Sequence, residues 1–355
     1  MATVTQRIKQ IKQPYGGYLP PSMFTVTDYN DNTDLCPTEN ISPSTIGSVV
    51  EYLSALVMGI PFKQAFEEPI SGCKLASSII GLNEGTNPGV IFEVAYDDIF
   101  SNITGLDDLS IISACKACVF GLFTKNMNAG IASLGRGDLD KSPDRFTIHN
   151  IRTMVKRTVT FFNKYGPVLK HGFSFDPINS TENKKASFSI GAISSYGGYT
   201  STVNAGYGDF LTRNGMWDIK VLSSQISSQN TLQLLMYWIM GRHSGRFEFK
   251  QINKIGFFNP RLNKAYILNT VAISESLISE IENNVICYET SEQTTPNYRS
   301  LNNAAMYPNT PNQFPTEPDN SFSNDNTQAW LTSFITISSI IIIGIVVLCL
   351  FIASL

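Results

Sequence analysis

The sequence predicts an α/β protein, a mixed sheet flanked by helices, followed by a disordered linker and one C-terminal transmembrane helix. Three observations carry that expectation. Apolar residues recur at helical spacing in several segments between residues 43 and 165. Between 168 and 273, short runs rich in β-branched and aromatic residues stand both before and after a single helical stretch. Behind residue 287 the composition changes twice, first to Asn, Pro, Ser and Thr, then to an uncharged apolar run.

At 355 residues, with 43% hydrophobic and 15% charged residues, the chain is long enough for one large domain or two small ones. Its net charge of −3 does not advertise nucleic-acid binding, but a local basic groove is enough for that purpose. The six cysteines (Cys36, Cys73, Cys115, Cys118, Cys287 and Cys349) follow no disulfide-framework spacing. Cys115 and Cys118 form a lone C-x-x-C, too few ligands for a zinc site of about four. Reduced thiols are the simpler expectation.

Taken in order, residues 1–41 read as an N-terminal extension. The first dozen are polar and basic, with no apolar run of the signal-peptide kind. Arg7, Lys9 and Lys12 fit either a flexible solvated terminus or a loose nucleic-acid-binding arm. Residues 23–29 suit a short strand. The main domain is expected over 42–287. Ser42 and Pro43 mark a helix start, serine as cap and proline in the first turn, and Ile46, Val49, Val50, Leu53 and Leu56 give its apolar face. Gly59 and Pro61 end it.

Further helices are expected around 63–80, 91–101 and 108–122, the last nearly all apolar and therefore buried. Residues 135–144 read as a loop, and the Arg136-Gly137-Asp138 in it as coincidence. The helix at 146–165 carries Ile148, Ile151, Val155, Val159 and Phe162 on one side and Arg152, Lys156 and Lys164 elsewhere. That basic side suits phosphate contacts as well as plain solvation. Strands are expected at 168–175, 186–195, 199–210, 254–260 and 264–273, with a helix at 274–286.

The most informative stretch is 204–238. Two short apolar runs flank Arg213-Asn214-Gly215, and Asn-Gly is a strong signal for a hairpin turn. Asp209 lies on the first run; Asp218-Ile219-Lys220 ends the second. Asp218 and Lys220 are two apart on a strand and so project from one face. In the following helix Gln233 and Tyr237 are four apart and also share a face. Two carboxylates on neighbouring strands suit a hard divalent cation, with an ammonium beside a metal-bound water.

Gly206-Tyr207-Gly208-Asp209, then Asp218-Ile219-Lys220, then Gln233-Leu234-Leu235-Met236-Tyr237 resembles the PD-(D/E)XK nuclease superfamily, in its RecB-type and lambda-exonuclease-like branch. The resemblance spans about 42–273, with its sharp motifs confined to 206–237 and Glu51. It implies a restriction-endonuclease-like core and hydrolysis of DNA phosphodiester bonds with Mg²⁺ or Mn²⁺. Asp209, Asp218 and the Ile219 carbonyl would hold the cation, Lys220 would orient or activate water, and Gln233 and Tyr237 would brace the site or contact the DNA backbone. The branch often places a metal ligand on an N-terminal helix, four residues after a glycine. Glu51 follows Gly47 at that distance, with Glu67, Glu68 and Glu93 as weaker substitutes. Arg242 and Arg246 would steer the strand, and His243 would assist.

Residues 288–329 cannot bury a core and read as a disordered tether. Residues 330–355 carry no charge and as a helix would run roughly 39 Å, longer than a ~30 Å hydrocarbon core. The expectation is a single-pass protein of the cell membrane whose nuclease domain faces the cytoplasm. A catalytically inactive nuclease-like module that binds DNA or protein at the membrane is the alternative, and a membrane scaffold with an accidental match is a third.

Overall fold

A six-stranded mixed sheet forms the middle layer of the computed structural model, which describes residues 2–175 and 197–288. The expected strand at 186–195, the linker and the apolar segment 330–355 lie outside the described residues. Among the described residues, no helix is long and apolar enough to cross a membrane.

In chain order the elements are β1 (Ala2–Thr3), α1 (Val4–Gln10), β2 (Thr25–Asp28), α2 (Pro43–Val57), α3 (Phe62–Ala65), α4 (Glu67–Glu84), α5 (Pro88–Ile99), α6 (Asp108–Lys125), α7 (Met127–Gly135) and α8 (Arg145–Tyr165). Then come β3 (Val168–Ser174), β4 (Val203–Ala205), β5 (Tyr207–Thr212), β6 (Gly215–Ile219), α9 (Ser228–His243), α10 (Phe247–Lys250), β7 (Lys254–Asn259), β8 (Lys264–Asn269) and α11 (Glu275–Glu280), which runs into a π-helical turn, Ile281–Ile286. The sheet order is β2-β8-β7-β6-β5-β3, and β1 pairs separately with β4. Only β6 and β7 are parallel within the large sheet. Parallel neighbours require a crossover, and α9 lies within it.

The helix starts follow the local chemistry. Ser42, Asp107, Asp144 and Ser227 each accept the N–H three residues on at the heads of α2, α6, α8 and α9. Alternation along the strands then divides the core. Phe210, Trp217, Phe258 and Ala265 face α2, α6 and α8, whereas Leu211, Met216, Phe257, Tyr266 and Leu268 face α9 and the π-helical turn. In the first layer Phe161 of α8 stacks on Phe258 with centroids 4.5 Å apart and meets Trp217 edge-on at 5.1 Å.

Several expectations change. The first residues form a capped helix, α1, in which Thr3 and Gln6 make a reciprocal capping box. Val4 and Ile8, four apart, are buried against the α9 layer, and Arg7 Nε donates to the Val285 carbonyl at 2.8 Å, so a loose basic arm does not describe this stretch. β2 is the edge strand beside β8, so residues within 1–41 complete the sheet. The run 199–210 is divided at Gly206 between β4 and β5. Arg136-Gly137-Asp138 is knotted locally, Asp138 accepting from Ser133, Arg136 and Lys141.

The hairpin β5–β6 forms with Phe210 opposite Trp217 and Leu211 opposite Met216. Its glycine serves another purpose than the turn. Neither Asn214 nor Gly215 has positive φ, so the primed turn that favours Asn-Gly is not used. Gly215 instead opens β6, where a Cβ would stand 2.5 Å from the Trp217 indole nitrogen. The Asn214 carbonyl accepts from the Asn253 and Lys254 N–H groups at 3.0 and 3.1 Å, tying the turn to β7.

Candidate active site

The hairpin register, continued by one pair from Phe210 and Trp217, sets Asp209 across from Asp218. Both project to the α9 side of the sheet, where alternation also puts Lys220. Ile219 fastens the two strands through its backbone, its N–H donating to Asp209 Oδ2 at 2.8 Å. The two preceding glycines make room: a Cβ at Gly206 would stand 3.0 Å from both Tyr237 and Val4, and one at Gly208 would enter the Phe173 ring.

Lys220 is the hub. Its Nζ lies 2.7 Å from Asp218 Oδ2 and donates to Gln233 Oε1 at 3.1 Å. Gln233 Nε2 donates in turn to the Tyr237 hydroxyl at 3.0 Å and reaches Thr5 Oγ1 of α1 at 3.5 Å. Thus the one-face pairs expected on β6 and on α9 are brought together into one connected chain. Asp218 is only 3% exposed, and apart from Lys220 its Oδ2 has no partner among the described residues.

Glu51 arrives from the other helical layer, on α2. Its Oε1 is 3.2 Å from His171 Nε2 on β3. The next residue, Tyr52, donates its hydroxyl to Glu68, which also accepts from Thr124 at 3.0 Å and pairs with the exposed Lys125 at 3.2 Å. Glu68 is therefore engaged in joining α2, α4 and α6. Glu93 lies in a separate cleft of about 790 Å³ bordered by Lys63, Glu67, Lys74 and Tyr96. Glu51 is an acid on a helix whose charge is coupled to both Asp209 and Asp218.

Burial and crowding of negative charge shift the protonation of this group. Glu51 is pushed up to about 7, chiefly by burial, with Glu68 and Asp218 adding to the rise and Lys125 and Lys220 opposing it. Asp209 is held well above the usual carboxylate range by burial and by Glu51 and Asp218, against Lys220 and the Ile219 N–H. Burial alone would make the Lys220 ammonium more acidic, but Asp218 and Asp209 outweigh it and keep it charged. The Tyr237 hydroxyl is raised by burial and by Asp218, so it stays protonated. Glu51 and Asp209 thus have elevated proton affinity, and a cation beside them would relieve the repulsion.

The Asp209, Asp218 and Glu51 carboxylates and the Ile219 carbonyl all offer oxygen, which suits Mg²⁺ or Mn²⁺ rather than a softer metal. Among the described residues no three Asp, Glu, His or Cys side chains close into a ready-made metal cage. A cation held by two or three of these oxygens would complete its shell with water, as Mg²⁺ commonly does.

Other expected contributors are engaged elsewhere. His243 stacks on Tyr288 at 3.7 Å and bonds Glu282 at 2.8 Å, at the far end of α9 from Gln233. The Arg242 guanidinium sits 5.0 Å over the Trp238 ring. On α8, Arg152 donates to the Leu106 carbonyl at 2.8 Å, and Lys164 lies 5.2 Å over the Tyr29 ring. Cys115 and Cys118 are buried free thiols whose pKa burial raises, which suits core packing.

Two residues at the site escaped the sequence reading: His171, a lone histidine on a strand, and Thr5, in what read as a terminus. The Val4–Ile8 spacing was the available signal for the second. Comparison of the chain with protein-family models, with curated proteins and with solved structures finds no match to any of them.

Proposed function

We propose that this protein is a metal-dependent deoxyribonuclease that hydrolyses DNA phosphodiester bonds and is tethered to a membrane through residues 330–355, with the nuclease domain on the cytoplasmic side. The observation that carries the reading is the placement of Lys220, paired with Asp218 at 2.7 Å and held at 3.1 Å by Gln233, beside the Asp209 carboxylate of the partner strand. Asp218, Lys220, Gln233 and Tyr237 join in one hydrogen-bonded chain, with Asp209 bonded to the Ile219 N–H beside it.

Asp209 and Asp218, with Glu51 and the Ile219 carbonyl, would hold Mg²⁺ or Mn²⁺. Such a cation, when bound, polarises a scissile phosphate and acidifies a coordinated water. Lys220 has three N–H donors. Asp218 and Gln233 engage two, leaving the third to orient the attacking water or to meet charge developing on the phosphate. Gln233, itself braced by Tyr237, fixes the direction of that third donor. Defence against foreign DNA and other DNA processing are both roles such an enzyme would fill.

The test is cleavage of linear and circular DNA by the full chain in detergent, with Mg²⁺, Mn²⁺ or EDTA, beside Asp209→Ala and Lys220→Ala. Metal-dependent cutting that both variants lose is the expected result. Cutting retained by either folded variant overturns the assignment. A folded wild type that binds DNA without cutting it would instead be the inactive, membrane-anchored binding module.

A further inference from the structure

We infer that His171 is the positioning residue of the metal site: its Nε2–H takes one oxygen of Glu51 and thereby turns the other toward the cation. The inference rests on the metal-site reading above, and it assigns a task to a residue that no motif contains.

The histidine is built in as a fixture. It is 6% exposed on β3, opposite Phe210 in the sheet register, with its ring 4.9 Å from the Phe210 ring and edge-on to Tyr52 at 6.2 Å. Rotation of the ring would require both aromatics to move. Nε2 faces Glu51 Oε1 at 3.2 Å, whereas Nδ1 is buried and makes no hydrogen bond of good geometry, with the Gln64 backbone near the ring. A proton on Nδ1 would set the Nε2 lone pair against Glu51, which must be an ionised carboxylate to hold a cation. Contact with the ionised Glu51 therefore selects the tautomer with hydrogen on Nε2.

Glu51 needs such a partner. Its backbone is fixed, because Tyr52 is locked by its hydroxyl to Glu68, but a glutamate side chain has three rotatable bonds and loses rotamer entropy when held. A single donor on one oxygen removes much of that freedom and directs the remaining oxygen. Partners of this outer kind typically contribute 10–100-fold to metal affinity.

The test compares full-length wild type, His171→Phe, which keeps the ring volume but has no donor, and His171→Gln, whose amide offers an N–H near the place of Nε2. Mn²⁺ binding is measured by calorimetry, DNA cleavage is titrated with Mn²⁺, and thermal melts are run in EDTA. Expected for His171→Phe is Mn²⁺ binding weakened by about 10–100-fold, with KM for DNA unchanged and cleavage restored at high Mn²⁺. His171→Gln should recover most of the cation affinity.

Wild-type affinity in His171→Phe would overturn the inference. So would equal loss in both variants: with a lowered Tm the residue is merely structural, and with an unchanged Tm it is a direct ligand. Wild type that binds no Mn²⁺ overturns the inference and the metal site together. Wild type that binds Mn²⁺ with this variant pattern but cuts no DNA keeps the positioning role and removes the nuclease.

Discussion

Lys220 and Asp218 form an ion pair at 2.7 Å in which Asp218 is buried on β6 and the half-buried Lys220 stands just past the strand's end, two residues on. Such a pair is worth little on balance while intact, yet removal of one partner strands the other charge. Lys220→Met should therefore destabilise the protein by about 3–5 kcal/mol at neutral pH in EDTA. Addition of Asp218→Asn to that variant should return most of the loss. Urea denaturation of the two single variants and the double variant gives the coupling directly, and simple additivity would contradict the pairing.

The pH dependence follows from Glu51 and His171. Glu51 is raised from 4.5 to about 7, so between those values the folded protein keeps a proton that the unfolded chain has released. Stability contributed by protonated Glu51 is therefore lost as pH rises through that window. His171 is lowered from 6.5 to about 4 by burial, so in its window the unfolded chain binds the extra proton and stability rises with pH. The two oppose each other below about pH 6.5, and only the Glu51 loss continues above it. In EDTA, Glu51→Gln should exceed wild type in stability at pH 8 by at most about 3 kcal/mol, with most of the gain gone at pH 5. Melts at the two pH values check this; a gain that is larger at pH 5 contradicts it.

Cation binding should register as stability too. With Mg²⁺ or Mn²⁺ at about 100 times its Kd, a single site adds about 2.7 kcal/mol. Wild-type Tm should therefore rise with either cation and fall again with excess EDTA. Asp218→Asn, which removes a proposed ligand without removing volume, should show little or no rise.

The hairpin offers a structural check that is independent of chemistry. Gly215→Ala would drive a Cβ to 2.5 Å from the Trp217 indole nitrogen, which now donates to Thr212 Oγ1 at 3.0 Å. The expected loss is about 1–3 kcal/mol, the usual cost of overpacking. Asn214→Ala, at an exposed position with ordinary φ, should cost less than about 0.5 kcal/mol. Equal costs would restore the turn explanation.

Local chemistry was legible and distant contact was not. Ser42 with Pro43 and the apolar runs on either side of Asn214 each act within a few residues, so the elements they start or join can be read from the string. The same holds for Asp218 with Lys220 and for Gln233 with Tyr237, whose common faces follow from strand and helix periods. The contact of His171 with Glu51 spans 120 residues and has no periodicity behind it. Thr5 reaches Gln233 only because α1 packs on α9, and three basic residues in that segment masked the Val4–Ile8 pair. Asn214-Gly215 marked the right turn for a reason that the Trp217 ring, not backbone torsion, supplies.

The facing side chains are drawn from α1, α2, β3, β5, β6 and α9, from Thr5 to Tyr237. No short contiguous fragment contains them all, so the arrangement exists only in the completed tertiary structure. Between these few positions the chain is answerable to volume and pattern alone, and cores tolerate extensive exchange of apolar residues when both are kept. A lineage is thus free to rewrite most of its letters while the charges keep their places. What would persist under such drift is a spatial figure with very little spelling attached.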